Sequence, residues 1–360
     1  MRRLATIRAV GKITPIEGKD RIVLAHIDGW QVIVKKDEFQ TGDLAVYCEI
    51  DSVLPDKPEF EFLRKNNFRI RTMRMGGVRS EGICFPLSIL PEGNYNVGDD
   101  VTEIIGVKKY ESPTEQRERL QEEEKPIRNA TKFSKYMMRY KWYRKLKIGR
   151  KKDKSFPSFI KKTDEERIQN MPWVLENKEP MVVTEKVDGS SITMVLAKKK
   201  TIFPWQKKYE YIVCSRNFRL TNDRNNYWEC SDRYNVQKVL GNIIGTYEWV
   251  AIQGEMIGVG IQGNKYKEKT HDVYIFNLLY PTGRLGTIEA KKIIEDNGMK
   301  FVPVLDDNYI LPDTVDEMLD YAHGESKLYP TLREGVVIRS KDGLRSFKVV
   351  DPLFLIKNKE

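Results

Sequence analysis

The stretch "VVTEKVDGSSITMVL", residues 182–196, sets a lysine behind one acid and two positions ahead of another, follows with Gly-Ser-Ser, and returns to β-branched and apolar residues. Asp-Gly is a common turn dipeptide, so a charged hairpin turn accounts for this pattern by itself. The chemical alternative is a nucleophilic amine at Lys186, held at the mouth of a nucleotide pocket. Such an amine must be neutral to attack, and a free lysine near pH 7 is not. Partial burial and nearby cations, a metal among them, lower its pKa and make it competent.

What the rest of the chain supplies decides between these readings. Five further islands follow in order: "SRN" at 215–217, "QGEMIG" at 253–258, "YIFNLL" at 274–279, "EGVVIR" at 334–339 and "SFKVVD" at 346–351. Each places a charged or aromatic residue at the edge of an apolar strand, where ordinary core alternation predicts none. Together with "EKVDGS" they resemble the nucleotidyltransferase motifs of ATP-dependent polynucleotide ligases and mRNA capping enzymes.

The resemblance implies a role for each residue, and the side-chain chemistry suits it. Lys186 attacks the α-phosphate of a nucleotide and forms a phosphoramidate. Asp188 accepts a ribose hydroxyl or a water of a hydrated cation, and Gly189 lets the backbone approach the ligand closely. Glu255 and Glu334 are acids at strand edges suited to hydrated Mg²⁺ or Mn²⁺, so the metal-holding set is Asp188, Glu255 and Glu334. Arg216 and Lys348 neutralise phosphate oxygens, the arginine by a bidentate fork. Phe276 offers a face for adenine. Singly, Phe276 reads as plain core and Lys348 as a surface lysine; the joint occurrence is what selects Lys186, Glu255 and Glu334.

The elements that must position these residues are legible in the hydrophobic pattern. Up to about residue 108 the chain carries short strand-like runs, "RIVLAHI", "WQVIVKK", "LAVYCEI" and "GICFPLSIL", separated by turn signals such as Asp28-Gly29 and Thr41-Gly42-Asp43. This predicts an OB-like β-barrel over 1–108, an SH3-like barrel giving much the same pattern. Residues 109–155 turn abruptly to charge, acidic and then basic, and read as a linker or basic helix with interleaved aromatics. Residues 156–360 alternate strands with helical patterns at Trp228 to Ile244, Thr287 to Asn297 (Thr287 as N-cap) and Thr314 to Tyr321. The fold class is α+β, the barrel being followed by a nucleotidyltransferase domain of antiparallel sheets flanked by helices.

Composition restricts the partners. The 360 residues carry 62 Lys and Arg against 52 Asp and Glu, a formal charge of +10, which favours a polyanion. No apolar run is long enough to span a membrane, and the basic N-terminus lacks the apolar core of a signal peptide. Cys48, Cys84, Cys214 and Cys230 form no CxxC pair, which disfavours zinc and points to reduced thiols in a cytosol-like compartment. With only three histidines, chemistry built on imidazole is not expected.

Most relatives in the superfamily carry an OB domain after the nucleotidyltransferase domain, whereas here the chain ends ten residues after Val350 and the barrel comes first. That order, with "FEFLRKNNFRIRTMRMGGVRSEGICFPL" in the barrel and "FPSFIKKTDEERIQNMPWVLE" upstream of the lysine, resembles the Naegleria-type, or fifth, RNA ligase family over nearly the whole chain. The resemblance implies an ATP-dependent enzyme that seals 3′-OH/5′-phosphate nicks in duplex RNA or RNA/DNA hybrids; nothing in the sequence demands an oligomer, and a monomer is expected. It also implies that "KTDEERIQN" borders the nucleotide site, with Arg167 and Gln169 contacting the nucleotide or the substrate phosphate. Read without the resemblance, Thr163 and Glu166 form a helix-start capping box. Many ligases have Lys-x-Lys in the last motif; here Ser346 stands two before Lys348, so either Arg345 compensates or one phosphate contact is absent. Three other readings stay open: a DNA ligase, a capping-type guanylyltransferase, and a non-catalytic nucleic-acid-binding protein on a ligase scaffold. Removal of residues 1–108 is expected to spare lysine adenylylation more than sealing.

Overall fold

Along Trp30–Lys35 burial alternates with the strand's period of two: Trp30, Val32 and Val34 point into a core while Gln31 and Ile33 are half-buried. That period-two pattern recurs through the N-terminal third and builds a small all-β body. The computed structural model describes residues 3–111, 155–199, 209–221 and 225–358, with positions 116, 136, 137, 139, 140 and 143. Most of the linker expected at 109–155 lies outside the described residues. The chain divides into two compact units, one comprising Met1–Tyr110, Glu165–Val187 and Pro303–Glu360, the other Glu111–Asp164 and Asp188–Val302.

In the first unit, strands β1 (Ala5–Ala9), β5 (Leu44–Cys48) and β9 (Ile83–Pro86) pair antiparallel in the order β1-β5-β9. Strands β2 (Ile13–Ile16), β3 (Lys19–Ile27) and β4 (Trp30–Lys35) form a second antiparallel sheet. Two short pairs complete it, β6 (Ser52–Val53) with β10 (Lys108–Lys109) and β7 (Met73–Met75) with β8 (Val78–Ser80). All four strand runs expected in this region are present as β3, β4, β5 and β9.

The same unit holds a four-stranded antiparallel sheet in the order β18 (Val304–Tyr309), β11 (Met181–Glu185), β19 (Gly335–Ser340), β20 (Ser346–Val350). Register assigns its two faces. Val183 opposes Ile338, which opposes Phe347, and this face packs with Ile168, Met318 and Leu319 into an apolar cluster. On the other face Thr184 opposes Val337, which opposes Lys348, and Val182 opposes Arg339, which opposes Ser346. One face is therefore core and the other carries the cations. Helix Val315–Ala322 starts with a capping box between Thr314 and Glu317, as its sequence predicts.

The C-terminal helix Pro352–Asn358 follows β20 directly, and Val350, Phe354 and Leu355 belong to the barrel core beside Ile7, Trp30 and Tyr47. The core of residues 1–108 thus includes residues from the far end of the chain. Phe354 is 2% exposed. Phe354→Ala is expected to cost about 3–5 kcal/mol through lost burial and the cavity it leaves. Thermal melting would show this as a clear drop in Tm; an unshifted transition would remove the helix from the core.

In the second unit β12 (Ser190–Lys198), β13 (Tyr209–Cys214), β14 (Trp249–Ile257), β15 (Asp272–Tyr280) and β16 (Gly283–Arg284) form an antiparallel sheet in the order β13-β12-β14-β15-β16. Strand β17 (Lys300–Phe301) adds to β15 in parallel. The helix expected from Trp228 to Ile244 is two helices, Asn226–Arg233 and Val236–Ile243. Asn235 between them takes a left-handed conformation, φ 47°, which asparagine tolerates and a continuous helix cannot include. Thr287 is the first residue of helix Thr287–Asp296 rather than its cap, the cap position falling on Gly286.

Candidate active site

Lys186 stands one residue past β11, where its N–H donates to the Gly335 carbonyl at 3.0 Å. Its Nζ donates to Glu334 Oε2 at 2.5 Å, with the side chains 25% and 12% exposed respectively. The lysine and the acid of "EGVVIR" are thus brought together by the pairing of β11 with β19. Gly335 is what permits that crossing: its φ is +153°, and a Cβ there would lie 2.1 Å from the Val349 carbonyl oxygen.

The acid preceding Lys186 is structural. Glu185 is 1% exposed, accepts from Ser326 Oγ at 2.5 Å and from the Lys327 N–H at 2.8 Å, and so anchors the segment that leads to Glu334. Burial raises its pKa, and the Ser326 and Lys327 hydrogen bonds oppose that shift.

Lys348 lies on the cationic face of the four-stranded sheet, where its N–H donates to the Glu166 carbonyl at 2.8 Å and its backbone pairs with Arg167. Arg167 and Gln169 are both buried beside it. Arg167 Nη2 donates to Asp51 Oδ2 at 3.1 Å and Gln169 Nε2 to Glu81 Oε1 at 3.3 Å. No helix begins at Thr163, so the capping box read there does not form; the Thr163 hydroxyl is hydrogen-bonded to that of Ser191 at 3.1 Å.

The last motif resolves in an unexpected way. Arg345 pairs with Glu179 at 2.8 Å on the exposed surface, which gives no support to its compensating for Ser346. Ser346 Oγ donates to Glu165 Oε2 at 2.5 Å. Directly opposite Ser346 in register is Arg339, 3% exposed, donating Nη1 to Thr184 Oγ1 at 3.0 Å. Sequence reasoning quoted "EGVVIR" but passed over its arginine. The signal was there, since strand alternation puts Arg339 and Lys348 on one face.

The second unit positions the remaining candidates. Asp188 is 7% exposed, its Oδ2 accepts from Lys265 Nζ at 2.5 Å, and its N–H donates to the Tyr266 hydroxyl at 2.8 Å. Neither Lys265 nor Tyr266 was among the expected residues. Their loop holds left-handed residues at Gly258, Gly260, Gln262, Gly263, Asn264 and Lys267, which "GVGIQGNKYK" signals through its glycines and asparagine. A Cβ on Gly189, the residue before β12, would lie 2.3 Å from the Met256 carbonyl oxygen of β14, so only glycine fits where the chain passes β14.

Glu255 sits on β14 between Ser191 and Tyr274 in register, half-buried. Phe276 is the extra residue of a β-bulge: Gln253 opposes Asn277, Gly254 opposes Ile275, and Phe276 falls between. A bulge re-aims a side chain at a sheet, and that distinguishes Phe276 from an ordinary core residue of the strand. Arg216 pairs with Asp164. Asp188, Glu255 and Glu334 are all-oxygen donors of the type Mg²⁺ and Mn²⁺ take. Among the described residues no group of three or more His, Cys, Asp or Glu lies together as a metal-holding cluster.

Comparison with known proteins agrees with this construction. A family model described as RNA ligase matches residues 179–350, and one described as an OB-fold domain matches residues 4–87. No curated protein sequence matches the chain. Among solved structures, Naegleria gruberi RNA ligase with PPi is 34% identical, the match covering 100% of this chain and 99% of that one, with a TM-score of 0.80. A variant of the same enzyme with ATP and Mn matches at 32% identity over 100% of both chains, TM-score 0.80. Another with AMP and Mn matches at 34% over 99% of both, TM-score 0.79. With the ordered motifs, the N-terminal OB-like barrel and a likeness that runs the full length, the chain belongs to the RNA ligase family, in the branch that the Naegleria enzyme represents.

Proposed function

We propose that this protein seals 3′-OH/5′-phosphate nicks in duplex RNA or RNA/DNA hybrids, using ATP through a lysyl-AMP intermediate. The observation that carries the reading is the 2.5 Å contact between Lys186 Nζ and Glu334 Oε2, on two paired strands inside the region that matches RNA ligase. Relatives solved with ATP and Mn, and with AMP and Mn, support the choice of nucleotide and of a divalent cation.

Three displacements at phosphorus follow. Lys186 Nζ attacks the α-phosphorus of ATP, a P–N bond forms, and pyrophosphate leaves. The 5′-phosphate of the nick attacks the same phosphorus, the P–N bond breaks, and the end carries AMP through a new phosphoanhydride. The 3′-OH then attacks the 5′-phosphorus, closes the backbone and releases AMP. Attack needs a lone pair on Nζ, so the Lys186 ammonium gives up a proton before the P–N bond forms. Asp188, Glu255 and Glu334 would hold a divalent cation, whose positive charge would offset the phosphates and lower the cost of the neutral amine. Arg216, Lys348 and Arg167 neutralise phosphate oxygens, Gln169 and Phe276 hold the nucleoside, and Gly189 admits the ligand.

In this reading residues 1–108 grip the duplex, residues 109–155 connect, and residues 156–360 transfer the nucleotide, with one copy of the chain sufficient. Nucleic-acid binding then weakens steeply with salt. The four cysteines are buried and free, which supports a reducing compartment, and burial pushes the Cys48, Cys214 and Cys230 thiols up to about 12, which makes them inert. Among the described residues no helix is long and apolar enough to cross a membrane.

Sealing of matched nicked duplexes, differing only in ribose or deoxyribose at the 3′-OH side, tests the substrate. A ribose end is expected to seal about 10-fold faster or more, the scale a lost hydroxyl contact reaches. Equal rates would make the enzyme a DNA ligase as much as an RNA ligase, and labelling from GTP in place of ATP would make it a guanylyltransferase.

A further inference from the structure

The segment after Glu166 is gripped by the barrel. Asn170 Nδ2 donates to Glu49 Oε1 at 2.7 Å, and its Oδ1 accepts from Trp30 Nε1 at 2.7 Å. Gln169 meets Glu81, a buried carboxylate whose pKa is raised by burial, with Arg79 and Arg167 pulling it back. Arg167 meets Asp51, and Asp51 is itself held from two sides. It takes a left-handed conformation, φ 64°, and its Oδ1 accepts from Arg69 Nη2 at 3.1 Å. The Arg69 guanidinium in turn lies 3.5 Å from the ring centroid of Tyr110.

Arg167 uses only part of its fork here. It is 4% exposed, and Nε and Nη1 have no hydrogen-bond partner among the described residues. A buried donor left unmade costs about 1–3 kcal/mol, more when charged. Its main chain meanwhile pairs with Lys348, another cation of the site. An arginine fixed at one nitrogen, open at two, and buried beside a lysine is arranged to take phosphate oxygens.

We propose that Asp51 is a positioning residue of the ligase. A carboxylate of the barrel, it orients the Arg167 guanidinium so that the unused N–H groups meet a phosphate. The proposal rests on the nucleotidyl-transfer reading and adds that the barrel sets the geometry of that step through one ion pair. The phosphate belongs either to ATP or to the 5′ end of the nick.

The test is a double-mutant cycle in the full chain: wild type, Asp51→Ala, Arg167→Ala and the double variant, with Asp51→Asn alongside. Lysine labelling is followed against ATP concentration, and sealing by pre-adenylylated enzyme against nick concentration. For an ATP phosphate, Asp51→Ala raises half-saturating ATP about 10-fold, the double variant is no worse than Arg167→Ala, and Asp51→Asn, which keeps an acceptor oxygen, recovers part of the loss. For the nick phosphate, the same pattern is read in half-saturating nick while ATP saturation stays put. If Asp51→Ala fails to melt cooperatively, the cycle is read with Asp51→Asn, which preserves shape. Unmoved saturation in both arms, or losses that simply multiply in the double variant, overturns the proposal. Absence of label on the wild type overturns instead the functional reading beneath it.

Discussion

Replacing Lys186 by alanine is expected to remove covalent labelling from ATP, a fall of about 10³-fold or more, of the order seen when a nucleophile is deleted. The same variant is expected to seal a nick whose 5′ end already carries AMP at a rate within about 10-fold of wild type, because the nucleophile there is the 3′-OH. The split follows from which bonds change. Only the first two displacements make or break a bond to Nζ; in the third AMP is the leaving group and the lysine is a bystander. The pairing with Glu334 at 2.5 Å matters to this argument, since removal of the lysine takes its cation from a carboxylate only 12% exposed, not from an exposed surface group. Parallel assays with ATP and with a pre-adenylylated nick check it. A labelled Lys186→Ala enzyme would move the nucleophile elsewhere, and loss of both activities from a folded variant would give the lysine a role in the final step as well.

Deletion of residues 1–108 is expected to abolish labelling and sealing together. Sequence alone suggests the reverse, a detachable clamp. The structure supplies two reasons for the change. The barrel core includes Val350, Phe354 and Leu355 from the end of the chain, so truncation exposes apolar surface immediately beyond the Lys348 strand. Asp51, Glu81, Glu49 and Trp30 hold Arg167, Gln169 and Asn170, and without them a buried guanidinium loses its carboxylate, a strongly destabilising change. Displacement of site residues by about 1 Å costs on the order of 10²-fold in rate, and this truncation does more than that. Labelling of the truncated protein, with its melting curve recorded beside it, decides the matter. Near-normal label on a cooperatively melting fragment would mean that residues 109–360 hold the nucleotide site unaided.

Much of this site could be read from sequence because strands announce themselves by alternation and glycines by necessity. Lys186, Glu334 and Gly335 were legible as ends of apolar runs, and pairing of β11 with β19 brings them into contact. The barrel strands were legible for the same reason. What remained hidden depends on partners distant in the chain. Arg339 and Lys265 look like unremarkable basic residues until register places one opposite Ser346 and a left-handed loop carries the other to Asp188. Asp51 gave no signal, being one acid in a turn, and its meaning comes from Arg167, 116 positions away. The bulge that sets Phe276 apart is likewise a property of two strands and not of one. Thr163 misled because a capping box is local, and tertiary contact with Ser191 outcompeted it.

The measurement that bears most directly on the central claim is incubation of the purified protein with α-³²P-ATP and Mg²⁺ or Mn²⁺, followed by a denaturing gel, with Lys186→Ala alongside. Label that stays on the wild-type band through denaturation and is missing from the variant is the result predicted here, and it establishes the lysyl-AMP bond. A folded wild-type protein that takes no label from any nucleotide with either metal would contradict the account and leave a nucleic-acid-binding protein on a ligase scaffold.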